Sequence, residues 1–361
     1  MTDNDYLVAL ASFTSFGPLR INLLTEYFGS AENAWKTSFN KLTKIGLNEK
    51  LVRSFLDYRD NFDFKKYFDR LNYLKIDFVT IKDKTYPENL KGLDDAPVVL
   101  YVRGKMVKND VNAVAIVGSR KMTSYGREVT ERLSAQLANV GLTIISGLAF
   151  GVDLAAHKSA IEVGGRCIAV LAGGVDTITP KSNEWLGLKI IDSGGAVISE
   201  YPPGVTPERH LFPFRNRIIS GLAKAVIVVE GLIKSGTIHT ANHAAKQGRT
   251  VFAVPGQITS PMSSAPHYLI KNGAKMVTSI EDVLEELDLQ LKVDREAVES
   301  VLPSDKDEGK LIEILANEPL HLDELARISG LTVSTISSKL TVMELKGIVK
   351  NIGNGVYKKI S

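Results

Sequence analysis

The chain has 361 residues, 44% of them hydrophobic and 24% charged, which suits two or three ordinary globular domains and excludes a disordered or low-complexity chain. Its one cysteine, Cys167, excludes an intramolecular disulfide framework and any multi-cysteine zinc site, and fits a reducing compartment. The formal net charge is only +3, and no apolar run approaches the ~20 residues of a membrane-spanning helix.

Met1 to Tyr6 carries Asp3 and Asp5 and no basic residue, the wrong charge for a secretory signal, so a cytoplasmic protein is expected. Residues 1–80 read as a helical domain, with apolar side chains at helical spacing over 6–10, 19–28, 31–36 and 51–58. The turn Leu42-Thr43-Lys44-Ile45-Gly46-Leu47 resembles the hairpin of a helix-hairpin-helix module, which offers backbone N–H groups to a phosphate. A plain helix–helix turn reads the same way.

A second domain is expected over 81–288. Its lead-in, 81–110, holds Tyr86-Pro87-Glu88-Asn89-Leu90 as a connector and Pro97 to Gly104 as an edge strand. Strands then follow at 113–117, 142–146, 167–171, 196–199, 225–229 and 251–254, with helices such as 126–140 and 240–247 between them. The strands are near-continuous runs of Val, Ile, Leu and Ala, as parallel strands covered on both faces require. The α/β alternation predicts an extended Rossmann-like, doubly wound sheet. This is also the basic part of the chain: residues 111–280 hold 17 basic and 10 acidic side chains, which fits a polyanion partner.

Small and polar residues follow each strand: Gly118-Ser119-Arg120, Ser146-Gly147, Gly173-Gly174, Glu200, Glu230-Gly231 and Pro255-Gly256. In an open parallel sheet these ends share the edge at which ligands bind. Glycines there let backbone approach a phosphate, and helix N-termini direct N–H groups at it. Ser235-Gly236-Thr237 opens one such helix. Arg120, Lys181, Arg215 and Arg217 supply positive charge; for the last two, pairing with Glu200, Glu230 or helix C-termini is an equal alternative. The predicted phosphate-contacting set is therefore Gly118, Ser119, Arg120, Ser146, Gly147, Lys181, Arg215, Arg217, Ser235 and Gly236. Neither a G-x-G-x-x-G after the first strand nor a G-x-x-x-x-G-K-[ST] occurs.

Enzymatic groups are sparse. Asp153 and His157, four apart on a helix, read as a capping acid and a packed histidine before an acid–base pair. His239 and His243 make half a metal site with no carboxylate nearby in sequence. Cys167 in its apolar run reads as a small buried hydrophobe. Glu200 and Glu230 are the only plausible catalytic carboxylates, and no cofactor or metal is expected.

Residues 289–308 form an acidic linker, since 281–308 hold 3 basic and 11 acidic side chains. Residues 309–361 then give helices at 309–316, 322–328 and 333–346, the last capped by Thr332, and a wing hairpin over 348–359 turning at Gly353-Asn354-Gly355. This is the order of a winged helix-turn-helix. Its near-neutral charge leaves duplex binding and protein contact both open.

Val114-Ala115-Ile116-Val117-Gly118-Ser119-Arg120, Ser146-Gly147-Leu148-Ala149 through Gly151-Val152-Asp153 to Ala156-His157, Ser199-Glu200-Tyr201-Pro202-Pro203-Gly204, Phe212-Pro213 with Arg215-Asn216-Arg217, and Val254-Pro255-Gly256 together resemble the DprA/Smf family, DNA-processing proteins of bacterial natural transformation. The resemblance runs along essentially the whole chain and is most specific in 113–275. It implies an extended Rossmann fold between a SAM-like helical domain and a winged helix. It further implies single-stranded DNA binding, a homodimer, and help in loading the recombinase RecA. The family's DNA-contacting arginine falls on Arg120 and its lysine on Lys181. Thr179-Pro180 stands where the family has tyrosine-proline, Gly231 where it usually has alanine, and Ala265 and His267 replace a common glycine and asparagine. The competing reading is a nucleotide-acting enzyme of the phosphoribohydrolase type on a related fold, whose P-G-G-x-G-T-x-x-E motif is matched only partly by Ser235-Gly236-Thr237-Ile238-His239-Thr240.

Overall fold

The computed structural model describes residues 1–287, 306–315, 318–345, 348–353 and 355–360. Of the expected linker over 289–308, residues 289–305 lie outside them, as does the wing-tip residue Asn354, while 306–308 are not linker but the first turn of a helix. The chain divides into two compact units, residues 1–290 and 291–361.

The first unit begins with helices α1 (Asp3–Ser12), α2 (Pro18–Phe28), α3 (Ala31–Lys36), α4 (Phe39–Lys44), α5 (Glu49–Asp60) and α6 (Phe64–Tyr73). The starts of α1, α3 and α6 are set by local capping: the Thr2 hydroxyl accepts from Asp5 N, Ser30 from Asn33 N and Asp63 from Lys66 N. A turn through Gly46, at φ 90°, joins α4 to α5. Then come β1 (Asp77–Thr80), α7 (Glu88–Lys91), β2 (Val99–Gly104), β3 (Ala113–Val117), α8 (Ser124–Asn139), β4 (Thr143–Ser146), α9 (Val152–Glu162), β5 (Cys167–Val170), α10 (Glu184–Asp192) and β6 (Ala196–Ser199). They are followed by α11 (Leu211–Leu222), β7 (Ala225–Val228), α12 (Gly236–Lys246), β8 (Thr250–Ala253), α13 (Ser264–Lys271), β9 (Lys275–Met276) and α14 (Ile280–Glu286).

The nine strands form one sheet in the order β1-β2-β6-β5-β4-β3-β7-β8-β9. Strands β6 through β9 in that order pair parallel, while β1–β2 and β2–β6 pair antiparallel. The strand over 99–104 is therefore second from the edge, not the edge strand its sequence suggested; Asp77–Thr80, too short and mixed to stand out, covers it. Both faces are buried. Val114 and Ile116 point to a core shared with α8, α9, α10 and the N-terminal helices, and Ala113, Ala115 and Val117 to a core under α7, α11, α12 and α13. The helical segment thus shares a core with the sheet. The order reverses between β3 and β7, the switch point at which doubly wound sheets open a crevice at their carboxyl ends.

The second unit holds α15 (Lys306–Leu315), β10 (Leu320–His321), α16 (Leu322–Ser329), α17 (Val333–Leu345) and the hairpin β11 (Val349–Gly353) and β12 (Val356–Lys359). The three strands pair antiparallel in the order β10-β12-β11, and Leu311, Leu325, Ile336, Leu340 and Val349 fill a separate core. Helix α17 starts where expected, with Thr332 Oγ1 accepting from Thr335 N at 3.2 Å.

Candidate nucleic-acid interface

A cleft of about 700 Å³ opens at the β3/β7 switch point. Its walls are the turn after β3 (Gly118 to Lys121), Ala149 and Asp153 after β4, the start of α11 with the loop before it (Arg209 to Asn216), and the start of α12 (Leu232 to Thr240). Gly118, Ser119, Arg120, Ser235 and Gly236 of the predicted set face it, as does Arg215 from below.

Arg120 is exposed, and its guanidinium lies 5.1 Å from the centre of the Phe212 ring, a cation–π contact that orients it. Among the described residues, no carboxylate pairs with Arg120, Lys121 or Arg209. The turn carrying Arg120 is braced by Gly151, whose φ is 75° and where a Cβ would sit 2.2 Å from Ser119 O. Only glycine fits both demands.

Below the cleft the predicted contacts are structural. Arg215 is 4% exposed. Its Nη1 donates to Gly147 O at 2.7 Å and also to Val170 O. Burial holds its pKa down to about 10, with Asp153 offsetting part of that cost. A Cβ on Gly147 would meet this guanidinium at 2.2 Å, so the close approach that Gly147 permits is to Arg215, not to a ligand. Asp153 Oδ2 accepts from Gly147 N at 3.1 Å and Ala149 N at 3.3 Å; burial raises its pKa, offset by Arg215 and these amides. Ser146 is fully buried and donates to Ile116 O at 2.6 Å. Direct DNA contact by Ser146, Gly147 and Arg215 is thereby corrected: they form the floor that holds the loop.

Arg217 is corrected more sharply. It is 5% exposed, Nη2 donates to Glu200 Oε2 at 2.5 Å and Nε lies 3.5 Å from Asp95. It lines a different, largely apolar cleft of about 570 Å³ between α2 and the sheet. The expected alternative, pairing with Glu200, is what the chain forms. Glu230 is 3% exposed and accepts from Thr123 N at 2.8 Å and Thr123 Oγ1 at 2.6 Å, tying down the start of α8. Both candidate catalytic carboxylates are thus engaged.

Lys181 stands outside the cleft on the same sheet edge, following β5, two strands from β3. It is 81% exposed, and its Nζ lies 2.5 Å from Glu184. His157 is fully buried, with neither ring nitrogen hydrogen-bonded; burial pushes its pKa down to about 4. Among the described residues there is no cluster of three metal-ligating side chains, and no helix is long and apolar enough to cross a membrane. Thr237 of the expected Ser235-Gly236-Thr237 helix start also lines the cleft, whereas two of its cations, Lys121 and Arg209, were not expected. Lys121 adjoins a predicted residue, and Arg209 precedes the Phe212-Pro213 motif, so proximity to motifs was the available signal.

A Rossmann-type sheet with a cationic cleft at its switch point, followed by a winged helix, defines a DNA-handling protein of the recombination-mediator class. Residues 77–288 match the family model for DNA recombination-mediator protein A, and residues 295–355 that for the DprA winged helix domain. The chain belongs to the DNA recombination-mediator protein A (DprA/Smf) family. It is 40% identical over 279 residues to Protein Smf of Escherichia coli, covering 76% of this chain and 75% of that protein. It is 38% identical over 274 residues to DNA processing protein DprA of Streptococcus pneumoniae, covering 69% and 96%. The X-ray structure of DprA from Streptococcus pneumoniae aligns with a TM-score of 0.68 at 35% identity, over 79% of this chain and 98% of that one. A structure of DNA processing protein A from Helicobacter pylori, described for its single-stranded DNA binding mode, aligns with a TM-score of 0.52 at 29% identity, over 58% and 95%.

Proposed function

We propose that the protein binds single-stranded DNA across the carboxyl edge of its sheet, as a cytoplasmic homodimer, and hands the strand to the recombinase RecA without chemical turnover. The observation that carries the DNA-binding reading is the switch-point cleft, where Arg120, Lys121 and Arg209 lack carboxylate partners among the described residues and Phe212 presents a ring beside Arg120. Unpaired cations attract a phosphate backbone, and an aromatic face suits unstacked bases better than a duplex. Gly118, Ser119, Arg120, Ser235 and Gly236 are the proposed contacts, and Lys181 extends the path along the same edge. The single-stranded DNA binding reported for the Helicobacter pylori relative supports the ligand; the homodimer and the recombinase rest on the family resemblance. Engagement of Glu200 by Arg217 and of Glu230 by Thr123 supports binding over catalysis.

The test is fluorescence anisotropy of labelled single- and double-stranded oligonucleotides over a salt series. Single strands should bind more tightly. Arg120→Ala should weaken binding and reduce the salt slope by ~0.7, the increment for one single-strand phosphate, with an unchanged thermal midpoint. Normal folding with an unchanged slope would remove Arg120 from the interface.

A further inference from the structure

The start of α12 holds the least satisfied polar groups of the cleft. Among the described residues, nothing hydrogen-bonds to the backbone N–H of Gly236 or Thr237. Ser235 occupies the N-cap position with extended backbone, yet makes no capping bond, and its buried Oγ has no partner. Thr237 is only 7% exposed and lines the cleft, and among the described residues no hydrogen bond is made by its hydroxyl. Native proteins rarely leave a buried hydroxyl such as that of Ser235 unmatched, and one orphaned beside a second unbonded hydroxyl signals a missing partner. The two hydroxyls converge: a Cβ placed on Gly231 would lie 3.1 Å from Ser235 Oγ and 3.3 Å from Thr237 Oγ1. Beyond Gly236 is open space, with nothing within 4 Å of the position its Cβ would take.

Two amides and two hydroxyls therefore meet at the positive end of an 11-residue helix. Among the described residues, Arg120, Lys121 and Arg209 of the same cleft have no carboxylate partner, and its one lining carboxylate, Asp153, is occupied by the amides of Gly147 and Ala149 and faces Arg215. An internal phosphodiester would bring two free oxygens and one charge to this seat. A terminal phosphate brings three free oxygens and, with a second pKa of about 6, nearly two charges at pH 7. The donor count and the charge match the second.

Resting on the reading of the cleft as the DNA site, we infer that the start of α12 is a seat for a phosphomonoester, the terminal phosphate of a DNA strand. The protein thereby distinguishes strand ends from strand interiors. Charge-assisted hydrogen bonds are the strong ones, and four of them are available at an end.

Three oligothymidylates of equal length with an internal fluorophore test this on the full chain: one with a 5′-phosphate, one with a 3′-phosphate and one with neither. One phosphorylated end should bind about tenfold more tightly than the unphosphorylated strand, which identifies the end. Thymidine monophosphate in excess should erase that gain, showing that the phosphomonoester itself is recognised. Ser235→Ala combined with Thr237→Val should bring all three strands to one affinity. Gly231→Ala, which crowds both hydroxyls without removing either, should shrink the gain and covers the case in which the double variant folds poorly. Equal affinity of the wild type for all three strands overturns the inference and leaves single-strand binding intact. Failure of all three to bind counts against the DNA reading itself. A gain that survives both variants overturns the assignment to α12.

Discussion

Two arginines in one helix illustrate what residue type alone conveys. Arg215 stands three, four and seven residues before Ile218, Ile219 and Leu222, on the buried stripe of α11. That spacing was legible, and it outweighs the chemical preference of guanidinium for phosphate. Ser146 closes an internal strand covered on both faces, so its hydroxyl had to turn inward. Arg120 follows a strand end and opens a turn, where it stays exposed with only the Phe212 ring beside its guanidinium. His157 permits a pH prediction. Its folded pKa of about 4 lies below the usual histidine value because the ring is fully buried, while the unfolded chain takes up the proton near pH 6.5. The unfolded state thus binds more protons between those values, and stability is lost as pH falls from 6.5 toward 4, by about 2 kcal/mol at pH 5. Asp153, with its pKa raised by burial, acts in the opposite sense as it takes up a proton. Urea unfolding followed by tryptophan fluorescence reports on the first unit alone, because both Trp35 and Trp185 lie in it. The midpoint should fall between pH 7 and pH 5 in the wild type, and the fall should be much smaller in His157→Leu. Parallel pH profiles for the two proteins would refute it.

At the scale of elements, the sequence was informative where physics is local. The Val/Ile/Leu/Ala runs located all six central parallel strands to within a residue at each end, since a strand buried on both faces has no polar alternation to hide it. Asp77–Thr80 and Lys275–Met276 escaped notice: each is very short, and both lie at sheet edges where the pattern is weakest. The start of α8 shows a contact that no local rule reveals, a glutamate 107 residues away from the Thr123 it grips. Glu230 is an acceptor for both groups of Thr123, and a Cβ on Gly126 would sit 2.2 Å from its Oε2. An amide in its place would set a donor against a donor in this tight space. Glu230→Gln should therefore cost about 1–3 kcal/mol, the penalty for an unsatisfied buried group, while the salt slope of DNA binding stays at its wild-type value. Chemical denaturation and anisotropy on one preparation separate the two. A variant of wild-type stability that lost binding or a nucleotide-hydrolysing activity would return Glu230 to the list of functional carboxylates.

For the molecule as a whole, charge and topology point to the same place. The basic excess of residues 111–280 emerges as cations on the sheet edge at which the strand order reverses, and every residue lining the switch-point cleft belongs to the first unit. That unit buries its own two cores, one on each face of the sheet, so it has what a domain needs to fold alone. The winged-helix unit is built around a separate core. Its third helix, α17, carries one lysine on its described faces, Lys339, 3.9 Å from Asp307, while Lys350 and Lys358 sit directly opposite each other on the wing. A duplex reader of this class places its recognition helix in the major groove against phosphates on either side, and α17 is poorly charged for that task. A chain ending at residue 290 should therefore bind single strands with the salt slope of the full protein, because the slope counts phosphate contacts and the cleft retains all of them. Any duplex affinity of the full chain should drop on the same truncation if the wing lysines supply it. A truncated protein that folds, by its tryptophan fluorescence and thermal transition, yet binds single strands with a slope reduced by ~2 or more would show that two or more phosphates are held by the winged helix, and the edge of the sheet would then be only part of the interface.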